Sequence, residues 1–241
     1  MTGVEAAEKM AGAIEGWLTV KEGRLLYELA RSSTGRGAIV EIGSWQGKST
    51  VWLGLGSRAG NGAKVYAIDP HTGAREQREE FGDVWTLDRF TENVRRAGIE
   101  TLVVPLVMTS EEAARRWRSG DVELLWIDGA HEYEFVRRDF ELWSPFLAEG
   151  GIVAFHDRSA PGPSRVIAGR VLRSRRFRLM GRVDQILFAR KVARLGPGVA
   201  LRQAGLALRY DLARRSRALP LLPSLWRALR GASRRAAAGT G

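Results

Sequence analysis

Residues Ile39–Thr50 read IVEIGSWQGKST, an apolar run followed by Gly47-Lys48-Ser49. The ending suggests a phosphate-gripping loop, but the P-loop pattern G-x-x-x-x-G-K-[ST] needs a glycine where this chain has Ile42. Gly43 leaves that loop one residue too short to wrap a phosphate in backbone N–H groups. The dinucleotide pattern G-x-G-x-x-G also fails, because Trp45 stands at its second glycine. What remains is a buried-type strand, an acid (Glu41), two glycines (Gly43, Gly47) and a helix start. Such a turn receives a ligand other than a bare phosphate or a dinucleotide.

The same strand-then-helix rhythm runs outward from this stretch. Upstream, helices are expected over Val4–Leu18 and Lys21–Arg31. Downstream, AKVYAID, TLVVPLV, VELLWID and GIVAFHD are short, apolar and β-branched, and read as strands. Between them lie helical segments, among them TLDRFTENVRRAG, with Leu87, Phe90 and Val94 on one face, and SEEAARRW, with Ser110 as N-cap. A helix over Pro163–Arg173 precedes two strands near Phe177–Arg182 and Asp184–Arg190, close enough to form an antiparallel hairpin. Alternation of this kind predicts a mostly parallel α/β sheet with helices on both faces.

Ligands of such sheets bind beyond the carboxyl ends of the strands. Those ends carry Glu41-x-Gly43, Asp69-Pro70-His71, Met108-Thr109-Ser110, Asp128-Gly129-Ala130-His131 and His156-Asp157. All three histidines of the chain fall there, beside four carboxylates. Taken singly, His71 reads as a turn residue, His131 as a solvated loop residue and His156 as a ring satisfying a backbone group. Together they are the raw material of a metal or acid–base site.

Composition narrows the classes further. The chain has 241 residues and no cysteine, which removes disulfides, thiolate metal sites and a cysteine nucleophile. The amino-terminal stretch carries Glu5, Glu8 and Glu15 and does not read as a signal sequence. No apolar run is long enough to span a bilayer, and a cytoplasmic location is expected. The formal charge is +11, but it is unevenly placed. From Arg190 onward twelve Lys or Arg face a single acid, Asp211. The preceding domain is therefore neutral, and a nucleic-acid partner is not indicated by global charge.

The motifs VEIGSWQGKST, VYAIDPHTG, LLWIDGAHEYEFVRRDFELWSPFLAEGGIVAFHD and PGPSRVI, in this order, resemble those of class I S-adenosylmethionine-dependent methyltransferases. Within that class they are similar to the small bacterial O-methyltransferases related to the catechol type. The resemblance spans about Ile39 to Arg190. It implies a Rossmann-like seven-stranded sheet with an antiparallel last strand, in a domain over residues 1–191. It implies S-adenosylmethionine held by Glu41, Gly43, Ser44, Gly47, Ser49, Asp69, Thr109, Ser110 and Asp128. Gly43 and Gly47 let the ligand lie on backbone, Ser44 donates to its carboxylate, and Asp69 accepts from the ribose hydroxyls. Glu41 orders the loop, and Thr109 and Ser110 line the adenine pocket. Asp69 alone does not name the cofactor, since nicotinamide-binding folds share that geometry. A non-catalytic nucleoside binder and a nicotinamide-dependent oxidoreductase are the alternative readings. The missing G-x-G-x-x-G argues against the second.

The resemblance also implies a divalent cation, Mg²⁺ by preference, on Asp128 and Asp157. His131 stands where relatives place a lysine base and is the expected catalytic residue together with Asp128. Arg158 replaces the asparagine that relatives carry after the second ligand, and it either weakens the cation site or turns away. The expected acceptor is a hydroxyl on a sugar, a secondary metabolite or another small molecule. The long connection HTGAREQREEFGDVW offers Phe81 and Trp85 as pocket walls, or is a solvated excursion. The tail, 192–241, is read as a basic amphipathic helical appendage. Leu201, Ala204, Leu208 and Leu212 recur there at helical spacing among arginines. That stripe suits an anionic membrane surface, or packs on the domain or on a second subunit of a homo-oligomer.

Overall fold

A computed structural model describes residues 3–73, 78–79 and 82–218, and the side chains of 215–218 are not among those described. Seven strands form one sheet: β1 (Ala38–Ile42), β2 (Val65–Ile68), β3 (Val103–Leu106), β4 (Val122–Ile127), β5 (Leu147–Phe155), β6 (Phe177–Val183) and β7 (Ile186–Lys191). Their order is β3-β2-β1-β4-β5-β7-β6. The first five are parallel, whereas β7 runs antiparallel to both β5 and β6. The expected hairpin is therefore present, and its second strand inserts between β5 and β6, leaving β6 at the edge.

Helices α1 (Gly3–Gly12), α2 (Val20–Arg31), α3 (Lys48–Ala59) and α4 (Leu87–Arg96) precede β3 in the chain, and α5 (Ser110–Arg116), α6 (Tyr133–Trp143) and α7 (Pro161–Val166) follow it. A π-helical stretch, Ile167–Leu172, continues α7. The central strands are covered on both faces, which explains their near-continuous apolar character. Val40 and Ile42 point into one core with Leu125, Ile127, Val153 and Phe155, closed by Phe140 and Trp143 of α6. Ile39 points the other way, with Leu124 and Trp126, toward Leu26 of α2 and Trp52 of α3. Alternation puts Glu41 on that second side, inside the core.

Local signals explain two departures from the expected boundaries. The first helix stops at Gly12 rather than Leu18, and Thr19 starts α2 as a reciprocal capping box with Glu22. The N-cap of α5 is Thr109 and not Ser110. Its side chain accepts from Glu112 N while Glu112 caps back, an arrangement that the spacing Thr109-x-x-Glu112 specifies.

Helix α8 (Pro197–Ala218) follows β7. Its docked face carries Gln203 and Ala207, both buried, with Leu206 and Tyr210 against the core. The Gln203 amide completes the edge of the sheet: Oε1 accepts from Leu179 N at 2.8 Å and Nε2 donates to Phe177 O at 2.9 Å. Asp211 is ion-paired with Arg173 and with Arg214. Leu201, Ala204, Leu208 and Leu212, the stripe expected from the sequence, lie on the solvent side.

Candidate active site

The ends of β1, β2, β4 and β5 open into a cavity of about 590 Å³, within the usual range for small-molecule sites. Its first wall is the turn after β1. Gly43 has φ +86°, and a Cβ there would come within 2.4 Å of Asp128 O. Only glycine lets this loop pass so close to the end of β4. Gly47 also has positive φ and is the N-cap of α3. Asp69 ties the loop down from β2. Its Oδ2 accepts from Ser44 N and Trp45 N at 2.9 and 2.8 Å, and its Oδ1 accepts from His71 N at 2.7 Å.

Of the expected cofactor contacts, Gly43, Ser44, Ser49, Asp69, Thr109, Ser110 and Asp128 line the cavity, whereas Glu41 and Gly47 lie behind its wall. Ser44 Oγ is buried without a hydrogen-bond partner among the described residues. A buried hydroxyl in that state wants a ligand atom, and it sits where a cofactor carboxylate is expected. Glu41 is fully buried and accepts a hydrogen bond from Thr50 Oγ1. Burial pushes its carboxyl up to about 8, against hydrogen bonds from Ser49 and Thr50 and with help from Asp128 and Asp69. Glu41 is thus a neutral acid that joins β1 to the first turn of α3.

At the floor, β4 and β5 bring Asp128, His156 and Asp157 together, with one ligand atom of each within 4.8 Å of the others. His156 Nδ1 lies 3.1 Å from Asp128 Oδ1 and 2.9 Å from Asp157 Oδ2. His131 Nε2 approaches the same Asp157 oxygen at 2.8 Å. Behind His156, the buried Glu22 of α2 stands 3.5 Å from Nε2. Burial favours a neutral His156 ring, but Asp128, Asp157 and Glu22 outweigh it and push the imidazole up to about 12. His156 is therefore an internal cation among three carboxylates. Hydrogen bonds from His131 and His156 hold Asp157 well below the usual carboxylate range, while burial raises Asp128.

Arg158 turns away from this cluster, with Nε donating to Asp184 O in the β6–β7 turn at 2.8 Å. His71 does not line the cavity. Its Nδ1 meets Thr86 Oγ1 at 2.9 Å, and burial holds it below the ordinary histidine value. At the end of the cavity lined by Thr109 and Ser110, Trp143 Nε1 donates to Ser110 Oγ at 2.9 Å, and Asp139 of α6, beside Ser110, is pushed by burial up to about 6.

Of the two aromatic walls expected from the sequence, one can be placed. Trp85 is exposed and absent from the cavity wall, and Phe81 lies outside the described residues. Among the described residues, Trp17, Trp45 and Phe135 line the opening. The Trp17 and Trp45 rings lie 5.8 Å apart with a 49° tilt. Trp17 reaches this place because α1 ends early, and Lys48 Nζ pins the intervening loop by donating to Gly16 O at 2.9 Å.

A sheet of this order, with a glycine turn after β1, an acid after β2 and a cavity at the strand ends, defines a doubly wound α/β protein with a small-molecule site. The methyltransferase domain family matches residues 40–158, from β1 to just past β5, and this part of the chain is a methyltransferase domain. Among solved structures it is similar to the O-methyltransferase NovP, with a TM-score of 0.61 at 15% identity over 72% of this chain and 80% of that one. It is similar to the O-methyltransferase of Bacillus cereus in complex with S-adenosylhomocysteine, with a TM-score of 0.57 at 16% identity over 78% and 90%. It is also similar to TomG from Streptomyces achromogenes, in complex with S-adenosylmethionine, with a TM-score of 0.55 at 18% identity over 80% and 91%. No helix among the described residues is long and apolar enough to cross a membrane.

Proposed function

We propose that the chain methylates a hydroxyl oxygen of a small acceptor, a sugar or secondary metabolite, with His131 as general base. The carrying observation is the placement of His131 on Asp157 at the cavity floor, beneath an aromatic mouth. S-adenosylmethionine supplies the electrophilic methyl group. The acceptor oxygen forms a bond to that carbon as the carbon–sulfur bond breaks, and the electron pair stays on sulfur. The hydroxyl proton passes to His131, and Asp157 stabilises the imidazolium that results. His131 is half-exposed and can return the proton to solvent. Trp17, Trp45 and Phe135 offer flat apolar faces on which a ring-shaped acceptor stacks. The three similar structures named above are O-methyltransferases, which supports an oxygen acceptor.

Asp128 and Asp157 suit a divalent cation, and the geometry adds His156 to the pair expected from the sequence. Such a cation, when bound, lowers the pKa of the acceptor hydroxyl. An imidazole in the set favours Mn²⁺ over Mg²⁺, which prefers oxygen donors. To ligate, His156 must first give up the proton it holds between the two aspartates.

Calorimetry with S-adenosylhomocysteine, followed by transfer of labelled methyl to a panel of hydroxylated acceptors, tests the reading. His131→Ala should lower kcat by roughly 10²–10⁴-fold and leave S-adenosylhomocysteine affinity unchanged. Chelation should cut turnover, and Mn²⁺ or Mg²⁺ should restore it. Full turnover after exhaustive chelation removes the cation, and full turnover of His131→Ala removes the base.

A further inference from the structure

Helix α8 has two apolar faces. One is docked through Gln203, Leu206, Ala207 and Tyr210. The other is a solvent-side row of Leu201, Leu208 and Leu212, exposed at 77%, 55% and 56%. The three leucines recur at seven and four residues, so they line one side of the helix over about 16 Å. Docking explains the first face and leaves the second without a partner in the described structure. Exposed leucines gathered in one row are uncommon on a surface that meets only water.

The charge around the row points to the partner. Arg202 and Arg209 each follow a leucine of the row, which places both cations along one flank, and both are exposed. On the opposite flank the acid Asp211 is occupied by Arg173 and Arg214. It is the single acid from Arg190 onward, against twelve basic residues. Residues 219–241 lie outside the described structure, and in sequence they add four arginines and no acid. A second copy of the chain meeting this face would bring like charges together. A nucleic acid would find no aromatic ring in the row to stack on. An apolar row with a cationic border fits the headgroup region of an anionic bilayer, where leucines enter the acyl boundary and arginines meet lipid phosphates.

We propose that α8 lays its Leu201–Leu208–Leu212 row on an anionic lipid surface and holds the methyltransferase domain there as a peripheral protein. The docked Gln203 face fixes the orientation, so the domain meets the surface with a set facet. The inference is independent of the methyl acceptor.

The test is co-sedimentation of the full chain with vesicles of phosphatidylcholine, with and without a minority of phosphatidylglycerol, at low and high salt. The wild type should pellet with the anionic vesicles at low salt and be released by high salt. Leu201→Ser/Leu208→Ser/Leu212→Ser should lower partitioning about tenfold or more, and Arg202→Gln/Arg209→Gln should weaken it and flatten the salt response. Both variants alter exposed positions, and an unchanged melting temperature verifies their fold. Absence of wild-type pelleting overturns the proposal. So does equal pelleting of the triple serine variant, which would place the contact elsewhere in the tail. Equal binding to neutral vesicles removes the anionic partner. A concentration-dependent dimer that the serine variant dissolves would assign the row to a second copy instead.

Discussion

Glu41→Gln isolates the energetic cost of an acid inside the second core. Glu41 has an ordinary value of 4.5 and is raised by burial to about 8. The folded protein therefore keeps a proton that the unfolded chain releases above about pH 4.5. Stability linked to Glu41 is fully present below that value and is lost as pH rises toward 8, because deprotonation then favours the unfolded state. The slope is about 1.4 kcal/mol per pH unit, so between about pH 5 and pH 7 the wild type loses roughly 2–3 kcal/mol from this group. Glutamine keeps an acceptor for Thr50 Oγ1 and does not titrate. Urea unfolding of both proteins across this range, reported as their difference, cancels the histidines and other acids. The variant should gain on the wild type steadily as pH rises. Parallel pH profiles would refute the reasoning, since they would mean that the buried carboxyl is already ionised in the native state.

Three other substitutions address the site and the sheet. Asp69→Ala should preserve the fold and weaken S-adenosylhomocysteine binding by about 2–3 kcal/mol, read by calorimetry, because the loop carrying Ser44 and Trp45 loses its anchor. Gly43→Ala combines a positive φ with a Cβ against Asp128 O and should cost about 1–3 kcal/mol or more together with cofactor binding, measured by melting and titration. Gln203→Ala leaves the Leu179 donor and the Phe177 acceptor without their side-chain partner and should cost about 1–3 kcal/mol in urea unfolding.

The sheet was legible because each of its strands is short, apolar and bounded by turn residues, and because the strand ends gather the carboxylates and histidines. The alternation that buries Val40 and Ile42 on one side and Ile39 on the other is written in five consecutive residues. The cluster around His156 was only half legible. Asp128 and Asp157 lie at strand ends, but Glu22 comes from a helix far upstream in the chain and meets the ring only in three dimensions. Its one local mark is the spacing Thr19-x-x-Glu22, which reports a helix start and not a charge partner. Trp17 was hidden by an apolar segment that reads as continuous helix past Gly12. In the tail, the regular leucines mark the solvent-side face rather than the docked one. The docked face is keyed by a glutamine that pairs with backbone, and hydrophobic periodicity gives such a residue no weight.

Sheets can grow at either rim, and here both rims are stopped. At the β6 rim, the Gln203 amide occupies a donor and an acceptor as a neighbouring peptide would. At the β3 rim, Val65 N bonds to Leu102 O and Asp69 N to Leu106 O. Even-numbered residues of β3 thus turn their backbone groups inward, and Pro105 sets its missing N–H outward. A strand from another molecule finds an occupied site on one side and an absent donor on the other. The lamina is finished within one chain, which guards the sheet against edge-to-edge aggregation. Any chain shortened to remove α8 would reopen the β6 rim and become sticky there.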